Sequence, residues 1–403
     1  MKNAYIIDGI RTPIGKIGGA LSNVRPDDLA ADLMRELIKR NTNDKFDVNL
    51  IEDVIMGNAN GAGEENRNVA RMSLLLAGLP VSVPGETINR LCASGLGAIV
   101  NASRGIKLGE GDFYIAGGVE SMTRAPYIMS KSSSAFGRDS QIFDTSLGWR
   151  LVNPKLNAMY GTEGMGETAE NVADKYNISR EDQDKFAFNS QMKATNSRNN
   201  GIFKSEIIDV VIPQRKGDPE IISDDEFIRP ETTLESLAKL QPAFRKGGSV
   251  TAGNSSGLND GAAVVLMSSE EGLVNSGLKP RARVISSAVV GVEPRIMGIG
   301  PIEAAKKALK RAGLTFADLD VIELNEAFAA QSLACIRAWG LSDDDNRINP
   351  NGGAISLGHP LGMSGARLVI TAMNELERRN GRYALCTMCI GVGQGYAAII
   401  ERV

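Results

Sequence analysis

The chain has 403 residues, too many for one compact unit at roughly 100–200 residues per domain and enough to bury a large core. A composition of 42% hydrophobic and 23% charged residues excludes a disordered or fibrous protein, and 45 basic against 48 acidic residues leave no overall positive field for a nucleic acid or an anionic membrane. No apolar run approaches the roughly 18–20 residues of a bilayer span, and MKNAYIIDGIRTP carries too short an apolar stretch for a signal peptide, so a cytoplasmic location is expected.

Short apolar runs alternate with amphipathic stretches, the pattern of an α/β protein. In chain order, residues 4–7 read as a buried strand, 26–39 as a helix with Leu29, Leu33, Leu37 and Ile38 on one stripe, and 54–56 as a second strand. A helix over 94–106 directly follows Cys92, and residues 113–116 read as a third strand. Residues 121–250 break this rhythm, being richer in Ser, Asn and charge. Within them, Ser179 and Asp182 read as a capping box ahead of Phe186, and 207–222 as strand, turn and strand. The stretch is expected to be an insertion forming a lid or ligand-binding subdomain.

From about residue 285 the earlier order returns. A helix over 301–312 is closed by Gly313, residues 320–325 parallel 52–57, and 383–388 parallel 113–117. In this correspondence the segment of Cys92 matches that of His359, each ahead of a helix (94–106 and 364–378). The expected organisation is two similar halves, residues 1–120 plus 251–275 and residues 276–403, around an insertion at 121–250. Chance likeness of generic strands is the alternative.

The rare residues narrow the chemistry. Four cysteines (Cys92, Cys335, Cys386, Cys389) are too few for a disulfide framework and are expected as thiols. His359 is the only histidine, so any imidazole chemistry has one candidate, and metal sites are disfavoured. Cys386 and Cys389 have C-x-x-C spacing without a second ligand pair, with a redox pair as the runner-up reading. Cys92 lies in NRLCASGLG, where a sharp turn into a helix start would expose the sulfur and lower its pKa; an inert buried cysteine is the alternative. His359 sits in NPNGGAISLGHPLGMSG and Cys389 in MCIGVGQG, whose successive N–H groups suit an anion. Neither glycine run has the spacing of a dinucleotide or nucleotide-phosphate loop.

Taken together, the blocks INRLCASGL, AGGVESM, GMGETAENVA, TAGNSSGLNDGAA, NEAFAAQ, GGAISLGHPLGMSGAR and TMCIGVGQG resemble the thiolase family in order and spacing, over essentially the full chain. The resemblance implies a thiolase fold, duplicated αβαβα layered halves with an inserted loop domain, assembled as a homodimer or homotetramer. It also implies thioester exchange between coenzyme A and a 3-oxoacyl chain through an acyl-enzyme. By motif, Cys92 would carry the acyl group, His359 would take its proton and activate CoA, and Cys389 would move the proton of the acetyl α-carbon. Asn325, through a water, and His359 would hold the enolate oxygen; the N–H groups of Cys92 and Gly391 would hold the second oxyanion. The matching CoA positions are Arg229 and Ser236 near the nucleotide, Met165, Phe244, Ala252, Gly253 and Ser256 along the pantetheine, and Phe328 near the thiol. CoA enters as co-substrate, and no metal or tightly bound cofactor is implied.

Three further blocks, GWRLVNP at 148–154, AGEENRNVAR at 62–71 and GVEPRIMGIGP at 291–301, resemble the degradative branch acting on 3-oxoadipyl-CoA. Gly164 where short-chain biosynthetic relatives often have His, and Val392 in place of a glycine, point the same way. A dicarboxylic substrate would need a cation for its remote carboxylate, and Arg150 and Arg67 are the candidates. An acetyl-CoA acetyltransferase or a broad 3-ketoacyl-CoA thiolase is the alternative within the class. A non-catalytic acyl-CoA carrier would not need Cys92, His359 and Cys389 together, and a condensing enzyme with two histidines is excluded by there being one.

Overall fold

A computed structural model describes residues 2–403. Strand β1 (Tyr5–Arg11) leads to helix α1 (Pro26–Asn41), which has Pro26 in its first turn, Asp27 and Asp28 beside it, and Lys39 and Arg40 in its last turn, as the helix dipole favours. Strand β2 (Ile51–Gly57), helix α2 (Val69–Leu76), strand β3 (Gly85–Ile88), helix α3 (Ser94–Leu108) and strand β4 (Phe113–Ser121) follow. A long excursion holds helices α4 (Met165–Tyr176) and α5 (Arg180–Asn199) before the chain returns in β5 (Asn259–Ser268). The second run is β6 (Ala282–Gly291), α6 (Gly300–Ala312), β7 (Val321–Leu324), α7 (Ala329–Ala338), α8 (Leu361–Arg379), β8 (Tyr383–Ile390) and β9 (Gln394–Arg402). Gly313 closes α6 in the left-handed conformation that favours glycine. None of the described helices is long and apolar enough to cross a membrane.

These strands form one sheet in the order β7-β8-β9-β6-β1-β5-β4-β2-β3, with the short Gly15–Lys16 strand beside β5. The pattern repeats about the β6–β1 seam. On one side β3, β2 and β4 are parallel, and β4 with β5 and β5 with β1 antiparallel. On the other, Ile348 bridges β7 in parallel, β7 and β8 are parallel, and β8 with β9 and β9 with β6 antiparallel. The irregularity in β1 between Ile6 and Asp8 recurs in β6 between Val284 and Ser286.

Helices α3 and α8 pack on each other, and α8 touches β4 and β5 from one half and β7 and β8 from the other. They form the middle of five layers, with α1 and α2 outside one half and α6 and α7 outside the other. Strand β5 is apolar on both faces for this reason. Ala262, Val264 and Leu266 enter the outer core under α1, and Ala263, Val265 and Met267 enter the core shared with α3 and α8.

Between β4 and β5 the chain adds two small hairpins, Tyr127–Met129 with Ile142–Asp144 and Val210–Ile212 with Glu220–Ile222, outside the main sheet. Ser179 caps α5 by accepting the Asp182 N–H at 3.1 Å, but the expected capping box is only half formed, because the Asp182 carboxylate pairs with Arg337 instead. The excursion is held by Arg11 of β1, fully buried, which donates to Glu206 at 2.7 Å and to both oxygens of Asp225 at 2.7 and 2.9 Å.

Candidate active site

Cys92 sits between β3 and α3 in a turn where Leu91, not a glycine, takes φ +47, a conformation that costs roughly 1–2 kcal/mol for an L-residue. Asn89 accepts the Leu91 N–H at 2.8 Å, and the Ser94 hydroxyl donates to the Leu91 carbonyl at 2.7 Å, so the turn is locked from both sides. The partly buried thiol lies in a cleft of about 350 Å³ lined by Leu91, Glu120, Trp149, Arg150 and Met165 and, from the second half, Leu361, Gly391 and Val392. Its sulfur is met by its own backbone N–H and that of Gly391. Contrary to the activated thiolate expected at a helix start, burial dominates and pushes the Cys92 thiol up to about 11. Desolvation outweighs both N–H groups, so the resting group is the thiol.

His359 is buried in the turn ahead of α8, and its backbone N–H donates to Asn259 Oδ1 at 2.9 Å. Gly358 beside it has φ +108, and a Cβ there would strike the Asn259 side chain at 2.5 Å, so only glycine lets the two approach. The Ser364 hydroxyl donates to the Pro360 carbonyl at 2.8 Å and faces His359 Nδ1 at 2.6 Å. With its proton committed, Ser364 accepts from Nδ1–H, which leaves Nε2 as the free base, 3.3 Å from Asn325 Nδ2. Burial, with the Arg367 charge second, lowers the imidazole to about 3, so the ring rests neutral. Asn325 is fully buried, and its Oδ1 finds no partner among the described residues.

Cys389 is buried near the end of β8 with Met165, Ala327 and Phe328, and burial raises its thiol well above the usual range. Cys386, three residues earlier on the strand, enters the central core instead. The two sulfurs face opposite sides of the sheet, and all four cysteines are free, which removes the redox-pair reading.

Phe244 meets Phe328 edge to face with centroids 6.2 Å apart, Gly166, the neighbour of Met165, lies against the Phe244 ring, and the Ser256 N–H donates to Ala327 at 3.0 Å. Exposed Ala252 and partly buried Gly253 adjoin them, Gly253 being closed by Leu237 and Leu240. Arg229 and Ser236 are exposed, and Ser236 directly precedes Leu237, which closes Gly253. The Arg229 guanidinium sits over Phe227 at 4.8 Å, and the Ser236 hydroxyl is engaged in a capping box with Thr233. Of the two candidate cations, Arg150 lines the cleft, whereas Arg67 is exposed with φ +65 and is absent from the cleft lining.

Several groups escaped the sequence reading. Glu120 accepts N–H bonds from Ala59 and Gly362 at 2.8 Å and Asn60 at 3.1 Å, tying the turn after β2 to the start of α8; burial raises it to about 7. Its only sequence signal was its place in AGGVESM. Ser364 and Asn259 orient His359 from inside HPLGMSG and GLNDG, but their partner is set by tertiary contact. Val392 takes φ +65, a costly geometry for a β-branched side chain, at the cleft wall.

Comparison with known proteins agrees with this geometry. The thiolase N-terminal domain profile matches residues 4–271 and the thiolase C-terminal domain profile matches residues 278–402. The chain is 60% identical over 403 residues, all of both chains, to the 3-oxoadipyl-CoA/3-oxo-5,6-dehydrosuberyl-CoA thiolase of Escherichia coli (strain K12) and to a beta-ketoadipyl-CoA thiolase of Acinetobacter baylyi. It is 45% identical over 398 residues, 98% of this chain and 99% of the relative, to an acetyl-CoA acetyltransferase of Chromobacterium violaceum. Among solved structures, the Bacillus anthracis acetyl-CoA acetyltransferase superposes with a TM-score of 0.92 at 40% identity, covering 100% of this chain and 99% of that one. Human mitochondrial 3-ketoacyl-CoA thiolase gives 0.91 at 39%, with the same coverage. The chain belongs to the thiolase family and is an acyltransferase.

Proposed function

We propose that this thiolase cleaves 3-oxoadipyl-CoA with coenzyme A to acetyl-CoA and succinyl-CoA. The observation that carries the chemistry is the Cys92 thiol in the cleft beneath its own N–H and that of Gly391. The full-length relatives at 60% identity, named for 3-oxoadipyl-CoA, support the substrate over the acetyltransferase relative at 45%.

In this reading Cys92 attacks the 3-oxo carbonyl while its proton passes to Nε2 of His359. Because both groups rest neutral, transfer is coupled to formation of the C–S bond rather than preceding it. The oxyanion accepts from the N–H groups of Cys92 and Gly391. The C2–C3 bond then breaks, its electron pair forms the enolate of acetyl-CoA, and protonated His359 with Asn325 stabilises the enolate oxygen. Cys389 delivers its proton to the α-carbon, acetyl-CoA leaves, and the His359 proton restores Cys389. In the second half-reaction the CoA thiol passes its proton to His359 and attacks the succinyl thioester; the Cys92 thiolate leaves and recovers that proton.

Met165, Phe244, Ala252, Gly253 and Ser256 are assigned to the pantetheine, Phe328 to its thiol end, and Arg229 to the neighbourhood of the nucleotide. Ser236 remains a candidate there despite its capping role. We also take residues 121–250 as the unit that covers CoA, between halves at 1–120 plus 251–275 and at 276–403, in a cytoplasmic homodimer or homotetramer.

The test is CoA-dependent cleavage of 3-oxoadipyl-CoA, acetoacetyl-CoA and a longer 3-oxoacyl-CoA, with Cys92→Ala as blank. The expected result is the highest kcat/KM for the dicarboxylic substrate. Preference for acetoacetyl-CoA would leave a general short-chain thiolase, and activity surviving in Cys92→Ala would overturn the mechanism.

A further inference from the structure

We propose that Arg150 binds the carboxylate at the far end of a dicarboxylic 3-oxoacyl chain and is the residue that selects such substrates. The proposal rests on the thiolase reading above and deepens it.

Among the residues lining the cleft that holds Cys92, only Glu120 and Arg150 are charged types. The Glu120 carboxylate is committed to the N–H groups of Ala59, Asn60 and Gly362. Arg150 is half-buried, and its hydrogen bonding amounts to one long contact, Nη2 to Asn60 Oδ1 at 3.4 Å. No carboxylate lies within ion-pair reach of it among the described residues. In two other surface pockets the arginines are paired, Arg124 with Glu64 and Arg295 with Glu163. A guanidinium with most of its donors free, facing a largely apolar cleft, is matched to a carboxylate, which it can take through two parallel N–H bonds.

The loop that presents Arg150 is preset. Gly148 has φ +80 and Leu151 φ +51, Trp149 Nε1–H donates to the Glu163 carbonyl at 3.2 Å, and Asn60 Nδ2 donates to Thr145 Oγ1 at 3.0 Å. Asn60 therefore joins the Arg150 loop to the Glu120 network beside Cys92. Leu147, Trp149 and Val392 supply apolar wall for the intervening methylenes.

The discriminating pair of substrates is 3-oxoadipyl-CoA and 3-oxohexanoyl-CoA, which have the same six-carbon acyl chain ending in a carboxylate or a methyl. Arg150→Ala is expected to lower kcat/KM for 3-oxoadipyl-CoA by about thirty-fold, chiefly through KM, as a lost charge-assisted hydrogen-bond pair would. Its activity on 3-oxohexanoyl-CoA, which has no carboxylate for the guanidinium to hold, should stay within about threefold, which also shows that the variant folds. Arg150→Lys should recover part of the loss, because it restores the charge without the fork, and Arg67→Ala should change neither substrate. Equal losses on both substrates, or none on either, would overturn the role of Arg150 while leaving the substrate reading intact. A wild-type enzyme that prefers 3-oxohexanoyl-CoA would overturn the substrate reading and this proposal with it.

Discussion

His359 and Cys92 rest as a neutral base and a neutral thiol, and the state of the ring has a consequence for stability. Burial lowers His359 from 6.5 to about 3, whereas in the unfolded chain it protonates near 6.5. Between these values the unfolded state holds the extra proton. The stability due to the neutral ring is therefore complete above about pH 6.5 and is lost as pH falls through 6.5 toward 3, at up to about 1.4 kcal/mol per pH unit. On moving from pH 7.5 to 5.5, His359→Gln should lose about 1.4 kcal/mol less unfolding free energy than the wild type in urea titrations. Equal losses would mean that the ring is not held neutral. Cys92, His359 and Cys389 stood out as candidates in the sequence because their types are rare and sit among glycines. The thiol state of Cys92 was not, since it depends on what Gly391, Val392 and the 145–150 loop exclude from the sulfur.

At the scale of elements, the reactive turns meet because α3 and α8 begin almost backbone to backbone. A Cβ on Gly95 would lie 2.5 Å from the Gly362 carbonyl and 3.0 Å from Ala366 N. Cβ atoms on Gly118 and Gly365 would strike the Gly362 and Leu96 backbones. These obstacles are main chain in two packed helices, so they cannot rotate aside. Gly95→Ala should cost about 3 kcal/mol or prevent folding. Gly164→Ala, with nothing within 4 Å of its Cβ, should change stability by no more than about 0.5 kcal/mol. Urea midpoints of the two variants measure the contrast, and similar values would refute close packing at Gly95. The helices were readable from stripes and caps, and the richness in glycine suggested tight approaches. Which glycines touch which backbone follows from the crossing of two helices more than 250 residues apart in the chain, and no local pattern encodes that.

Over the whole molecule, Arg11 joins β1 to the excursion between β4 and β5 through Glu206 and Asp225, all three fully or nearly fully buried. Removing the cation strands two carboxylates in the interior. Arg11→Leu should destabilise the protein by about 3–5 kcal/mol, read as a lower urea midpoint, whereas a loss below about 1 kcal/mol would show that the cluster is not held as an ion triad. The net charge and the charge pattern of the sequence give no hint of it, because the partners lie 195 and 214 positions away.

The duplicated architecture was determined by the sequence, since strand and helix periodicities are local and recur in the same order in both halves. The Asp320–Asn325 and Glu52–Gly57 segments match by eye and occupy corresponding places beside β8 and β4. The candidates for the reacting groups were likewise carried by short motifs. Tertiary structure alone decided protonation and orientation. The pKa of a group reports desolvation by chain that is remote in sequence, the tautomer of His359 depends on Ser364 and Asn325 from two different elements, and Arg150 differs from Arg67 only in what surrounds it once the loops have packed.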